Sequence, residues 1–252
     1  MSNSIDKLSN QEIKAILRAA DPIIAQGGRA LLSKILKGSK DKKVLELELD
    51  TCPMYGYYRS ETLDNIVKKV DWVIDHDFLA VEYFGKLPMI VYTERGWQIE
   101  SDQYTDELID EWREWVKEGK PAPDMTYLKD RDRGMILLML EKIKEFGDRA
   151  FIPYLEAWEK VDYKKVRDEI REVIRVWDQQ EEIDGQAKSI REERLYEALD
   201  GSAPEDLLLK CRECGERFLF TIGEQQFYKQ RRFSLPKRCK ECRESGDEYI
   251  EY

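Results

Sequence analysis

The sequence predicts a mainly α, multi-domain protein, and three observations carry that expectation. Apolar residues recur at helical spacing through most of residues 10–199. Two short β-rich runs are joined by a turn at Gly85-Lys86-Leu87-Pro88, and four of the five cysteines crowd into the last quarter as two Cys-x2-Cys pairs. At 252 residues the chain exceeds the usual single-domain size of about 100 to 200 residues. With 37% charged residues, six Trp, thirteen Tyr and eight Phe, it is too aromatic for a disordered polymer and too charged for a membrane protein. Neither a long apolar run nor a hydrophobic segment behind a basic start is present, so a soluble, unexported, cytoplasmic protein is expected.

The charge is segregated. Residues 1–100 carry 14 basic and 15 acidic groups, residues 101–205 carry 18 and 28, and residues 206–252 carry 10 and 9. The whole deficit of the net charge of −10 therefore lies in the middle, which reads as a solvated helical surface. Leu207–Arg243 holds ten Lys/Arg against four Asp/Glu, a basic end tied to an acidic centre. The expected domains follow these shifts: 1–100, 101–200 and 205–245.

In the first, Ile13, Ile16, Leu17 and Ala20 share one helical face and Leu31, Leu32, Ile35 and Leu36 another, with Gly27-Gly28 between the two helices. Lys43–Leu49 alternates apolar and polar and reads as a short strand. A third helix spans Ser60–Asp75: Ser60 can cap it, Asp64 sits near its positive end, and Ile66, Val67, Val70, Val73 and Ile74 form its apolar stripe. Leu79–Phe84 and Met89–Thr93, joined by Gly85-Lys86-Leu87-Pro88, read as a hairpin. Three helices and a hairpin make a winged helix.

Leu36-x-Gly38-Ser39-Lys40-x-x-Lys43-Val44-x-Glu46-Leu47, Tyr55-Gly56, the Ser60–Asp75 helix, Leu79 and the closing Thr93-Glu94-Arg95-Gly96 resemble the winged-helix (RQC) domain that follows the catalytic core of RecQ-type helicases. The resemblance covers roughly Asn10–Glu100. It implies a domain that binds duplex DNA at strand junctions through the third helix and the wing. Carried over, the DNA contacts would be Arg59, Lys68 and Lys69 on the helix, Lys86 on the wing, and Lys40, Lys42 and Lys43 on the DNA backbone, with Leu87 as a wedge at the wing tip. The chain has no Gly-x4-Gly-Lys-[Ser/Thr] loop, so it resembles the reader without the motor. Glu61, Asp64, Asp71 and Asp75 on the third helix repel phosphate, which moves the expected contact toward the wing and the Lys40–Lys43 loop.

From Tyr104 to Leu199 nearly every window reads as helix. Leu108, Ile109, Trp112, Trp115 and Val116 form one stripe, ended by Pro121-Ala122-Pro123, and Ile136–Ile143 is a core helix. Asp148–Leu155 followed by Val166–Ile174 resembles one unit of a HEAT-like helical repeat, which must stack on neighbouring helices to bury its face; a small bundle or short stacked array is expected. Gln179–Glu197, with Glu181, Glu182, Glu192 and Glu193, reads as an exposed helix or linker before Gly201-Ser202-Ala203-Pro204.

Cys211-x2-Cys214 and Cys239-x2-Cys242, with 24 residues between the pairs, supply four soft thiolates as two knuckles, a closed tetrahedral set for one structural zinc per chain. A redox dithiol is the rival reading. Cys52 is expected to be a free thiol. Gly215 gives the first knuckle its backbone freedom, and Arg238 and Lys240 flank the second pair. The pattern from Cys211 through Phe218-x-Phe220-Thr221-x-Gly223-Glu224-Gln225 to Pro236-x-Arg238-Cys239-x2-Cys242-Arg243 resembles a small zinc-ribbon or treble-clef family common in bacterial proteins, which implies fold and metal more than activity. Arg231, Arg232, Lys237 and Arg238, interleaved with Tyr228 and Phe233, form an expected nucleic-acid surface, while Phe218, Phe220 and Phe227 are expected in the module's core.

The single histidine, His76, sits at a predicted helix end, and no Gly-x-Ser-x-Gly, His-Glu-x-x-His or Gly-x-Gly-x-x-Gly pattern occurs. The expectation is a non-enzymatic, multi-module DNA-binding protein. The competing class is a protein–protein adaptor or transcription-associated scaffold whose helical middle docks a partner.

Overall fold

Helix α1 (Asn10–Ala20) begins in a reciprocal cap: the Ser9 side chain accepts from the Glu12 backbone N–H, and the Glu12 carboxylate accepts from Ser9 N. In the computed structural model, which describes residues 7–181, 185–200, 206–231 and 233–244, this helix opens the first of two compact units, Met1–Gly201 and Ser202–Tyr252. Ile13, Ile16, Leu17 and Ala20 are fully buried against α2 (Arg29–Lys37). Between these helices the chain makes a minimal strand contact, in which Ala25 N donates to Ile90 O and Ile90 N to Gly27 O, both at 2.9 Å.

The expected strand at Lys43–Leu49 is instead a short helix, α3 (Lys42–Glu46), capped by Asp41, whose side chain accepts from Lys43 N. The alternation misled because two of its three leucines do not face the core. Leu45 and Leu47 are exposed, only Val44 and Leu49 are buried, and Glu48 takes a left-handed φ of 52° that turns the chain. Helix α4 (Leu63–Asp75) starts later than expected, because Thr62 rather than Ser60 accepts from Asn65 N. It ends at His76, whose ring stacks on Trp72 at 3.7 Å.

Strands β1 (Leu79–Phe84) and β2 (Leu87–Tyr92) pair antiparallel from Leu79↔Tyr92 to Phe84↔Leu87, so the turn is Gly85-Lys86 alone and Leu87 and Pro88 belong to the strand. Gly85 supplies the positive φ, 66°, that a two-residue hairpin turn needs. Leu79 and Ile90 are buried at the base of the wing. Its tip exposes Tyr83, Phe84 and Leu87, at 72, 51 and 62%.

Helix α5 (Glu94–Lys117) starts on a Thr93 cap, the Thr93 hydroxyl accepting from Gly96 N. Gly96 lies so close to the wing that a Cβ there would stand 1.8 Å from Phe78 O. The expected boundary at residue 100 falls inside this continuous helix. Ile99 belongs to the winged-helix core, and Leu108, Ile109 and Trp112 to a second core. That second core is closed by α6 (Arg133–Phe146), α7 (Ile152–Glu159) and α8 (Lys164–Gln179). Trp112 is fully buried there, with Phe151, Tyr154 and Trp158 at ring-centroid distances of 5.7, 5.6 and 5.8 Å. Pro153 falls in the first turn of α7 and Val166 in the first turn of α8, and the pair packs with α5 and α6 in one bundle.

Helix α9 (Gln186–Asp200) takes the first of the two expected forms, a mostly exposed helix, up to Glu197. Its end returns to the winged-helix core, where Ala198 and Leu199 are buried and Arg95 Nε donates to Ala198 O at 2.7 Å. Arg191 pairs with Glu141 at 3.1 Å and Glu145 at 2.7 Å. Glu182, Ile183 and the expected Gly201–Pro204 linker lie outside the described residues.

At the seam between the two cores sits Glu100, fully buried, its Oε1 without a hydrogen-bond partner and 3.9 Å from Arg18. Arg18 is claimed by Glu107 at 2.8 Å, and burial pushes the Glu100 carboxyl up to about 8. The folded state thus holds a proton on Glu100 that the unfolded chain releases above its ordinary value of 4.5. This contribution to stability is present in full below that value and falls away as pH rises toward 8. Glu100→Gln should therefore stabilise the protein relative to wild type at pH 8 and have little such effect at pH 4.5, as measured by urea unfolding at the two pH values.

Candidate metal centre and nucleic-acid interface

In the second unit, β3 (Leu207–Lys210) and β4 (Arg217–Phe220) pair antiparallel, and the chain between them forms the first knuckle. Gly215, at φ 77°, turns it, and Cys211 N donates to Glu216 O at 2.8 Å. After α10 (Ile222–Gln230), the second cysteine pair sits at the start of the short α11 (Lys240–Glu244). Arg212 N donates to Lys237 O at 2.9 Å, clasping the knuckle to the approach of Cys239.

The Sγ atoms of Cys211, Cys214, Cys239 and Cys242 lie within 4.8 Å of one another, and Cys214 and Cys239 are 3.9 Å apart. Zn–S bonds of about 2.3 Å in a tetrahedron put sulfurs about 3.8 Å apart. A disulfide needs about 2.05 Å. Backbone N–H groups, those of Cys239 first and of Cys214 and Glu213 as well, hold the Cys211 thiol down to about 6. Cys242, facing Cys239 first and also Cys214 and Cys211, is pushed up to about 12. Four thiols this close cannot all ionise unaided; a soft divalent cation supplies the charge that lets them. The donor set fits zinc, and with four protein ligands it leaves no position for water, so the site is structural.

Around it, Phe220 is buried and meets Tyr228 edge-on at 5.0 Å. The expectation that Phe227 belongs to the core is overturned: it is 47% exposed, Phe233 is 54% exposed, and the two rings meet at 6.4 Å. Arg231 lies over the Phe227 ring at 4.9 Å, Lys237 is exposed, and Arg238 pairs with Glu213 at 3.2 Å. Arg232 lies outside the described residues.

In the first unit the Gly-Ser-Lys and Tyr-Gly motifs have a physical explanation. Gly38 (φ 71°) and Gly56 (φ 75°) both take left-handed backbone, and a Cβ on Gly38 would stand 3.0 Å from the Gly56 Cα. Gly56 N donates to Ile35 O at 2.9 Å and the Tyr55 hydroxyl to Ser39 O at 3.1 Å. This dock shapes the corner that carries Lys40, Lys42 and Lys43, all exposed. Lys42 has one weak surface pair with Glu46 at 3.4 Å. Arg59 is exposed and its guanidinium covers Gly56.

Lys68 is exposed on α4, but Lys69 points inward: it pairs with Glu12 at 2.6 Å and Glu61 at 2.8 Å and lies 4.2 Å from the Tyr58 ring. Its assignment as a DNA contact is corrected on that ground, since it ties α4 to α1. Lys86 and Leu87 are exposed at the wing tip. Sequence reasoning missed Tyr83 and Phe84 beside them. The signal was the apolar end of the hairpin, Tyr-Phe-Gly-Lys-Leu-Pro, too long to be buried by so short a turn.

Residues 9–105 match the RQC domain model. Residues 205–249 match a second family, described as a probable treble clef domain. No curated protein and no solved structure matches the chain. The RQC match reaches into α5, as the Gly96 contact requires. Both domains are of kinds that point to nucleic-acid binding, and among the described residues no helix is long and apolar enough to cross a membrane.

Protein purified without added zinc should carry close to one equivalent of zinc per chain by metal analysis. Cys239→Ser should lose the metal and the protease resistance of residues 206–244 while the helical circular dichroism of the first unit persists, because the two units are separately compact.

Proposed function

We propose that the protein is a non-enzymatic DNA-binding protein that reads duplex or forked DNA through its RQC winged helix, with the zinc domain as an auxiliary nucleic-acid contact. The observation that carries this reading is the wing tip. Tyr83, Phe84 and Leu87 are exposed around Lys86, an apolar surface that water disfavours and that the last base pair of a duplex would cover. The Lys40–Lys43 corner offers the charge such a wedge needs to dock on phosphate.

Helix α4 supports a secondary role at most. With Lys69 paired internally, its exposed face sets Lys68 against Asp64 and Asp75, and Asp71 is held by Arg29 at 2.7 Å. Affinity then comes from the corner and preference for junctions from the wing. His76, the single histidine, is occupied as a helix end stacked on Trp72, which leaves acid–base chemistry at neutral pH without its usual residue.

The test uses the full chain, because a fragment ending at residue 100 would cut α5. Fluorescence anisotropy on forked and blunt duplexes across a salt series should give a linear log–log dependence. Replacing Lys40, Lys42 and Lys43 by Ala should flatten its slope by up to about 2 to 3 units, at about 0.9 for each phosphate that is no longer neutralised. Lys86→Ala with Leu87→Ala should leave most of the slope and reduce the preference for forked over blunt DNA. No binding at low salt, or binding unchanged in both variants, would leave the adaptor reading in its place.

A further inference from the structure

A cleft of about 520 Å3 opens between α5 and the turn Met125–Leu128, in a part of the molecule that DNA reading does not use. Its walls are aromatic and imino: Tyr104 and Trp115 from α5, Tyr127 from the turn, and Pro123 before it. Glu107 and Glu111 stand on the same face of α5, one turn apart, and line it too.

The faces of Tyr104 are taken. Arg18 lies over its ring at 4.1 Å and Arg131 at 4.7 Å, and Arg131 also donates to its hydroxyl. Trp115 and Tyr127 meet with ring centroids 6.4 Å apart and planes at 76°; Trp115 also stacks on Tyr154 at 6.0 Å and Arg131 lies 6.0 Å from the Tyr127 ring, so a ligand would meet what these contacts leave of the two rings. In the second core Trp112, Trp158 and Trp177 each donate their indole N–H to a protein acceptor. The half-buried Trp115 has no such acceptor among the described residues.

The charge of the rim narrows the choice of ligand. Glu107 is paired with Arg18 at 2.8 Å, whereas the exposed Glu111 has no ion pair among the described residues. The neighbouring cations on α5 are already engaged, Arg113 with Asp110 at 2.6 Å and Lys117 with Glu114 at 2.5 Å. Arg18 and Arg131 line the cleft as well, the first paired with Glu107 and the second laid on Tyr104, so the exposed charge without an ion pair that a ligand meets at the rim is the Glu111 carboxylate.

We propose that this cleft binds a proline-rich peptide flanked by arginine or lysine, presented by a protein partner. A polyproline II segment has no internal hydrogen bonds, so its carbonyls are free to accept from an indole N–H, and its prolines pack against rings and another proline. The basic flank pairs with Glu111.

The full-length protein would be titrated, by tryptophan fluorescence and calorimetry, with a polyproline peptide bearing arginine at both ends, with the same peptide bearing glutamate instead, and with oligothymidine. The arginine peptide should bind one per chain and about tenfold or more tighter than the glutamate peptide. Glu111→Lys, at an exposed position, should abolish that preference. Trp115→Phe, which keeps a ring and removes the donor, should weaken binding about fivefold, the size of one hydrogen bond. Failure of both peptides to bind, or unchanged affinity in both variants, overturns the proposal. Oligothymidine binding that Trp115→Phe weakens would instead assign the cleft to single-stranded nucleic acid.

Discussion

The first unit depends on one close approach, that of Gly96 to the carbonyl of Phe78. A side chain on residue 96 would overlap that oxygen, and without this approach α5 could not begin under the base of the wing. Because it does begin there, one helix of 24 residues serves two cores, contributing Ile99 to the first and Leu108, Ile109 and Trp112 to the second. The wing is held from two sides: by α5, and by the two backbone bonds from Ala25–Gly27 to Ile90. Its far end is thereby free to expose apolar side chains without the hairpin losing its place.

Sharing α5 has an electrostatic cost, concentrated at Glu100. The seam needs a residue that fits between α1 and α5, and the one present is a carboxylate whose Oε2 accepts from Gln103 Nε2 while its Oε1 meets only the far side of a guanidinium already bonded to Glu107. Lys142 shows the opposite case. It is as deeply buried as Arg18, yet it is fully compensated by Asp102 at 2.7 Å, Asp106 at 2.8 Å and the Asp102 carbonyl at 2.8 Å, and so ties α6 to α5. A buried charge stabilises only when its partners are complete, and here one seam is complete and the other is not.

What the sequence made legible follows from how local each signal is. Ile13, Ile16, Leu17 and Ala20 read correctly because helical period and burial coincide within a few turns. The Cys-x2-Cys pairs read correctly because ligand chemistry fixes their spacing. Lys43–Leu49 did not, because two of the three leucines that carry its period of two, Leu45 and Leu47, face solvent, and only the left-handed Glu48 reveals the turn. The burial of Ala198 and Leu199 was invisible for a different reason: their partners lie a hundred residues away, at Arg95 and the winged-helix core. Lys69 illustrates the same limit at the candidate interface, since its two carboxylate partners come from α1 and from the loop before α4.

The distribution of charge acquires a structural meaning from these placements. On α4 and α5 most cations are consumed by neighbouring carboxylates: Lys69 by Glu12 and Glu61, Arg113 by Asp110, Lys117 by Glu114. The Lys40–Lys43 corner is arranged differently. Asp41, the carboxylate within it, is turned to Lys34 at 2.8 Å and to the α3 backbone, so that helix capping occupies the nearest anion and the corner keeps only the weak Lys42–Glu46 pair. The Gly38–Gly56 dock fixes the loop in that shape without contributing any side chain of its own. A basic patch on a chain of net charge −10 is thus created less by adding lysines than by occupying the nearest acid elsewhere.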